Sequence, residues 1–163
     1  MNTQQMTICL WFDNQAEEAT RFYTSIFEDS AIGQISRFGK EGFEYHGKPE
    51  GTAMSVDFRL NQLKFIALNG NNESKFNESV SIMIHCDSQK EIDHYWTRLS
   101  EGGKEQMCGW LKDKYGISWQ IIPTVLNSYL SGDDPVKRQK VTGKMFEMIK
   151  FDIESLKKAY DGD

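Results

Sequence analysis

Three histidines and three cysteines are the side chains here best able to ligate a metal, carry a proton or attack an electrophile. None sits in a short motif. Cys9, Cys86 and Cys108 are odd in number and lack CxxC spacing, so a disulfide framework and a structural zinc site are not expected. Cys9 and Cys86 fall inside apolar runs, where cysteine usually acts as a small buried hydrophobe. Cys108, followed by Gly109 and Trp110, is a candidate pocket thiol, although nothing near it in sequence would depress its pKa. His46 lies in a Gly-rich stretch and His94 off an apolar helical stripe, each without convergent partners. His85 stands apart because it interrupts an apolar run. It reads either as a half-buried strand histidine bonded to a neighbour or as a group able to orient a ligand and move a proton near neutrality.

The elements that position these residues come from an internal repeat. Thr7–Asp13 lies over Ser81–Asp87: both are apolar runs closed by aspartate, with a glutamine two residues on, at Gln15 and Gln89. A helical stripe follows each, Ala19, Phe22, Tyr23 and Ile26 in the first and Ile92, Tyr95, Trp96 and Leu99 in the second. Strand-like segments come next. In the first repeat they are Ile32–Phe38, then Thr52–Leu60, where Met54, Val56, Phe58 and Leu60 alternate with polar or small residues, then Leu63–Leu68 after a turn at Asn61-Gln62. In the second they are Glu105–Leu111 and Ile117–Ile122, ended by Pro123. Asp134-Pro135 and Asp152 mark the starts of two tail helices, with Val136, Met145, Phe146, Met148 and Ile149 as the apolar stripe of the first. Ile153, Leu156 and Tyr160 face inward on the second. Lys137, Arg138, Lys140 and Lys144 read as a solvated face.

Strand parity then assigns the faces. Ile8, Leu10 and Phe12, like Ile82, Ile84 and Cys86, should face their helices, leaving Thr7, Cys9 and Trp11, and Ser81, Met83 and His85, toward a cavity. Gln120 joins them from the last strand. Thr7, Cys9, Trp11, Ser81, Met83, His85, Cys108 and Gln120 are thus the candidate pocket residues, a mixture of apolar and polar groups suited to a small molecule.

Five segments carry a family resemblance. Cys9-Leu10-Trp11-Phe12, Ala16-Glu17-Glu18-Ala19 running into Phe22-Tyr23, Phe65 to Gly70, Cys108-Gly109-Trp110-Leu111 and Ser118 to Pro123 together resemble the PhnB-like family. That family is often labelled 3-demethylubiquinone methyltransferase-like, and it lies within the glyoxalase/bleomycin resistance/dioxygenase (vicinal oxygen chelate) superfamily. The resemblance runs over nearly the whole chain, including the tail through Tyr160. It implies an α+β fold of two tandem βαβββ modules forming a curved, mostly antiparallel eight-stranded sheet, with helices on the convex side, plus C-terminal helices. It also implies a dimer with a cavity on the concave face. The modules would span about residues 5–72 and 79–124 of a domain over 1–126, followed by a helical extension over 127–163.

Superfamily enzymes commonly hold a divalent metal with His, Gln and Glu from the first and last strands of each module. Here the opening positions fall on Thr7 and Ser81, and the closing ones on Gln120 and on either Ile66 or Asn69. This set offers no carboxylate or imidazole, so no metal is expected. No S-adenosylmethionine is expected either, because no GxGxG turn follows any strand. The resulting expectation is a metal-independent small-molecule pocket. A metal-dependent lyase or isomerase and a dimeric scaffold with a filled, vestigial cavity are the alternatives. With a net charge of −5 the chain has no electrostatic footprint for nucleic acid. Lacking a targeting pattern or a run of ~20 apolar residues, it is expected in the cytoplasm, away from membranes.

Overall fold

Ile8–Phe12 forms strand β1, and Ala16–Thr24 forms helix α1 behind it. The computed structural model describes residues 6–162, which fall into two compact units dividing between Lys75 and Phe76. In the first unit β2 (Ser30–Arg37), a short helix α2 (Phe43–His46), β3 (Ala53–Leu60) and β4 (Leu63–Asn69) complete a four-stranded sheet ordered β1-β4-β3-β2. β1 runs parallel to β4, and the other pairs are antiparallel. Asn61, at φ 50°, makes the expected turn between β3 and β4.

One sheet face is dry. Leu10, Phe12, Val56, Phe58, Phe65 and Ala67 are buried with Ala16, Ala19, Tyr23 and Ile26 of the α1 segment. Phe58 stacks on Phe65 at 4.9 Å and lies parallel to Tyr23 at 6.3 Å. Phe22, placed in the stripe by sequence, is only half-buried; Thr20 takes an interior position instead, with its hydroxyl donating to the Ala16 carbonyl at 2.7 Å. The β3 alternation also breaks at its start. Met54 is exposed and Ala53 buried, because a bulge shifts the β2–β3 register between Ser36 and Arg37.

The second unit repeats the plan with β5 (Ile82–Cys86), α3 (Gln89–Ser100), β6 (Lys104–Glu105), β7 (Trp110–Lys112) and β8 (Ser118–Pro123), in the order β5-β8-β7-β6. β5 is again the strand parallel to its neighbour. The equivalence holds residue by residue: Trp11 pairs with Leu68 as His85 pairs with Ile122. Ile92, Trp96 and Leu99 are buried as expected. The single strand expected over Glu105–Leu111 is instead two short antiparallel strands. The chain turns back at Cys108 and Gly109, both at positive φ, and the turn supplies the eighth strand of the two four-stranded mixed sheets.

Helices α4 (Thr124–Ser131), α5 (Pro135–Phe146) and α6 (Ile153–Asp161) complete this unit. Asp134 caps α5 by accepting from Val136 and Lys137 N–H, and Asp152 caps α6 from Ser155 N–H. The stripe assigned to α5 is mostly wrong. Val136, Phe146 and Ile149 are exposed, and only Met148 of those residues is well buried with Val141. On α6 Leu156 is fully buried, whereas Ile153 and Tyr160 are half-buried. Among the described residues no helix is long and apolar enough to cross a membrane.

Candidate functional site

Each sheet has a second face, opposite its helix, and most of the candidate residues lie there. In the first unit Thr7, Cys9 and Trp11 are exposed while Leu10 and Phe12 are buried; Ile8, expected on the helix face, is exposed at the start of the strand. Cys9 is therefore not the buried hydrophobe its apolar run suggested. Its thiol is nevertheless raised above its ordinary pKa by partial desolvation, which does not favour a thiolate nucleophile.

Trp11 is held in place. Its indole N–H donates to the Asn71 carbonyl at 3.1 Å. The ring lies on Gly70, where a Cβ would collide with Cζ2 and Cε2 and sit 2.7 Å from Nε1. Further along the same face, Thr7, Ala31, Gly33, Asp57, Arg59 and Lys64 line a groove of ≈ 380 Å³. Arg59 also donates to Asp29 Oδ1 at 2.8 Å.

In the second unit Met83 and His85 are exposed while Ile84 and Cys86 are buried. Burial pushes the Cys86 thiol up to about 12, helped by the charges of Glu91 and Asp87, so it is inert at neutral pH. The His85 imidazole is exposed, not half-buried, and has no hydrogen-bond partner among the described residues. It can donate to, accept from or exchange a proton with a molecule on this face. Gln120 neighbours Met83 and Trp110 across the ladder and donates from Nε2 to Ser81 Oγ at 2.8 Å.

Cys108 is not on this face. Its N–H donates to Met148 O at 2.7 Å, and its Sγ is directed at Met145 O, so the end of α5 engages it. Gly109 beside it is required: a Cβ there would meet Phe151 at 2.6 Å and the Ile121 carbonyl at 2.7 Å.

Trp119 is buried, and its indole N–H donates to Asp113 Oδ2 at 2.8 Å; Trp110 is half-buried. Several polar residues that hold the elements were missed by sequence. Buried Asn69 accepts the Ala16 N–H at 2.9 Å and donates to Ala53 O at 2.9 Å. Lys48 Nζ donates to Asp13 O and to Asn14 Oδ1 at 2.7 and 2.8 Å. Gln89 reaches the C-terminal segment through Phe151 O and Ile153 N. The Gln15/Gln89 repeat pointed to this last residue but not to its partner.

The chain matches the family model described as 3-demethylubiquinone-9 3-methyltransferase over residues 4–122. The PhnB protein from Bacillus cereus is 34% identical, with a TM-score of 0.67 over 74% of this chain and 100% of its own. This chain belongs to that PhnB-like family. The matched region stops before the C-terminal helices. A Pseudomonas aeruginosa protein, 19% identical, has a TM-score of 0.60 over 74% of this chain and 98% of its own. The fosfomycin resistance protein FosX from Listeria monocytogenes, 18% identical, has a TM-score of 0.55 over 80% and 99%. These two share the fold of this chain. Among curated proteins none matches.

The groups the family implies can be tested on the residues. The register settles the first-module ambiguity: Ile66 occupies the place of Gln120, and Asn69 that of Pro123. The metal positions are then Thr7, Ile66, Ser81 and Gln120, with the last two bonded to each other. A hard or borderline divalent cation wants carboxylate or imidazole donors, and this set does not fit one. A methyl-donor nucleotide fits no better, because both strand–helix junctions are closed by the chain's own side chains. Glu91 accepts the Asp87 and Ser88 N–H groups, Ser88 accepts Glu91 N–H, and Asn69 accepts Ala16 N–H.

Proposed function

We propose that this PhnB-like protein binds a small molecule on the open faces of its sheets without a divalent metal. The observation that carries this reading is the Ser81–Gln120 hydrogen bond, which commits the one amide left at the superfamily's metal positions to a neutral hydroxyl. Support also comes from Thr7, Cys9 and Trp11 in one unit, and from Met83 and exposed His85 in the other. In this reading His85 and Gln120 orient the polar group of a ligand on the second unit's face, with Met83 as apolar contact, and Trp11 and Cys9 supply apolar contact on the first unit's face. Reversible desolvation of such mixed faces favours a ligand that is itself part polar.

The test is a small-molecule library screened by thermal shift, with and without EDTA, on protein purified without chelators. Hits unaffected by EDTA and weakened by His85→Ala are expected. One stoichiometric divalent ion, lost in His85→Ala, would instead establish the metal-dependent lyase or isomerase. A library without hits would favour the filled-cavity scaffold.

We also read the chain as a cytoplasmic homodimer. The supporting observation is the exposed apolar set Val136, Phe146 and Ile149 on α5 and just beyond it, a surface suited to a symmetric partner. Sedimentation should give twice the chain mass of 18.8 kDa; a single species at the chain mass would remove the dimer.

A further inference from the structure

Trp11 carries more information than its place on the face. Exposed aromatic side chains usually sample several rotamers and lose that freedom on binding. Trp11 is 40% exposed, yet its indole is fixed twice over, by the Asn71 carbonyl on its N–H and by the backbone of Gly70 beneath it. Gly70 has no other neighbour that a Cβ would meet so closely, so the absence of a side chain there serves the ring. What remains accessible is a flat aromatic surface already in its bound orientation.

The register shows what surrounds it. Leu68 lies directly across from Trp11, and Cys9 and Ile66 form the next row toward the start of the strand. Four residues back along β1 and β4, at Thr7 and at Lys64 with Arg59 across from it, the apolar surface gives way to the groove of ≈ 380 Å³, and Asp57, across from Ile66, lies on the row between. At ~3.3 Å per residue, the two ends are separated by about 13 Å. The face is therefore segregated, with an aromatic end and a polar end of mixed charge. Small residues on β2 keep the polar end open: a Cβ at Gly33 would already touch the Asp57 Cβ at 3.2 Å.

We propose that the first unit's open sheet face is built for an amphipathic aromatic ligand, its planar ring stacked on Trp11 and its hydrogen-bonding end about 13 Å away, at Arg59 and Lys64 in the groove. This rests on the small-molecule reading above and names the chemical class for that site. A purely aliphatic ligand would leave the fixed ring unused. A purely polar one would leave Trp11, Leu68 and Ile66 exposed.

The experiment uses the full chain and isothermal titration with 2-naphthyl carboxamides carrying two to six methylenes, and nonanamide as the ring-free comparator. Affinity should rise with linker length as the amide reaches the groove. The longest naphthyl probe should bind at least ~10-fold more tightly than nonanamide, in line with the worth of one stacked ring. Trp11→Ala and Gly70→Ala should each weaken it about 10-fold, the latter by displacing the indole without touching the probe. Trp11→Phe should retain part of the affinity, and it keeps the test intact if Gly70→Ala lowers the thermal midpoint too far. Tyr45→Ala, on an exposed residue away from this face, should change nothing. Equal binding of nonanamide, or an unchanged Kd in Trp11→Ala, overturns the aromatic class while leaving a small-molecule site standing. Absence of binding by every naphthyl probe also overturns it, and the library screen then decides separately whether the broader reading survives.

Discussion

The two units share one topology and one register, yet they spend it differently. At the end of the first strand the first unit has Trp11, pinned to the Gly70–Asn71 backbone, where the second has His85, unpartnered and open. At the closing position the first has Ile66 and the second Gln120, bonded to Ser81. One helix junction is closed by an asparagine from β4, the other by a capping box within α3 and by Thr124, whose hydroxyl donates to Asp87 at 2.7 Å. Backbones of one topology thus carry a face with a fixed aromatic end in one unit and a protic face in the other. The lesson is that the repeat specifies which side chains face outward, and divergence at those positions sets the chemistry.

The largest effect that would sharpen this comparison lies on the buried faces, where the units should behave alike. Tyr23→Ala and Trp96→Ala should each cost about 3–5 kcal/mol, as large-to-small changes in a packed core do. Urea unfolding monitored by circular dichroism checks this, and a loss below 1 kcal/mol in either would break the claimed equivalence of the two cores.

Asn69→Ala should cost ~1–3 kcal/mol, since it strands the Ala16 N–H and the Ala53 carbonyl in a buried setting. Thr124→Ala, whose carboxylate partner is exposed, should cost less than that. Denaturant midpoints for the pair would reveal whether the two junctions really differ.

On the open faces, His85→Ala should change stability by no more than ~0.5 kcal/mol, and Gln120→Leu by no more than about 1 kcal/mol. Ligand affinity should nevertheless fall in both. A cooperative loss of several kcal/mol in either variant would mean that these residues belong to the core.

The smallest effect is the pH dependence. Arg37, then Arg21, holds the Glu17 carboxyl below its ordinary 4.5 in the first unit. In the second unit Lys112 does so for Glu78, Lys150 for Asp93, and N–H groups of the cap for Asp134, while the Ser155 hydroxyl and N–H hold Asp152 down. A folded pKa below the unfolded one gives stability that is complete above the unfolded value and lost as pH falls through the folded value. Stability should therefore be flat above about pH 5 and decline below 4.5 for the glutamates and 3.8 for the aspartates. The groups are largely exposed, so the decline is shallow. Hydrogen exchange at pH 3 should show protection lost first from the α3, α5 and α6 termini. Equal loss in both units would remove this asymmetry.

Much of this was legible before any coordinates. Parity and the repeat gave the faces of β1 and β5, and with them the outward set Cys9, Trp11, Met83 and His85, because a one-residue slip would have put Leu10 and Ile84 in water. Helical periodicity found α1 and α3, and Asp134-Pro135 and Asp152 marked α5 and α6, since caps and stripes are local requirements. The order of the five family segments went further and implied the fold.

What local pattern could not supply was anything fixed by a partner distant in sequence. The bulge that exposes Met54 depends on pairing with β2. The turn that splits Glu105–Leu111 depends on Cys108 and Gly109 meeting the chain after α5, and that contact also takes Cys108 off the pocket face. Val136, Phe146 and Ile149 satisfy a helical stripe but face outward, because the interior of that unit is already filled by Val141, Phe151 and Leu156. No local pattern marks Asn69, Asp113 and Lys48 as structural; burial makes them so, since a polar group withdrawn from water must find its bond elsewhere in the chain. Sequence by itself determined the repeat and the face of each strand, for these follow from periodicity and covalent neighbours. Only the tertiary structure decided that Trp11 is locked while His85 is open, because that depends on which backbone lies beside each ring.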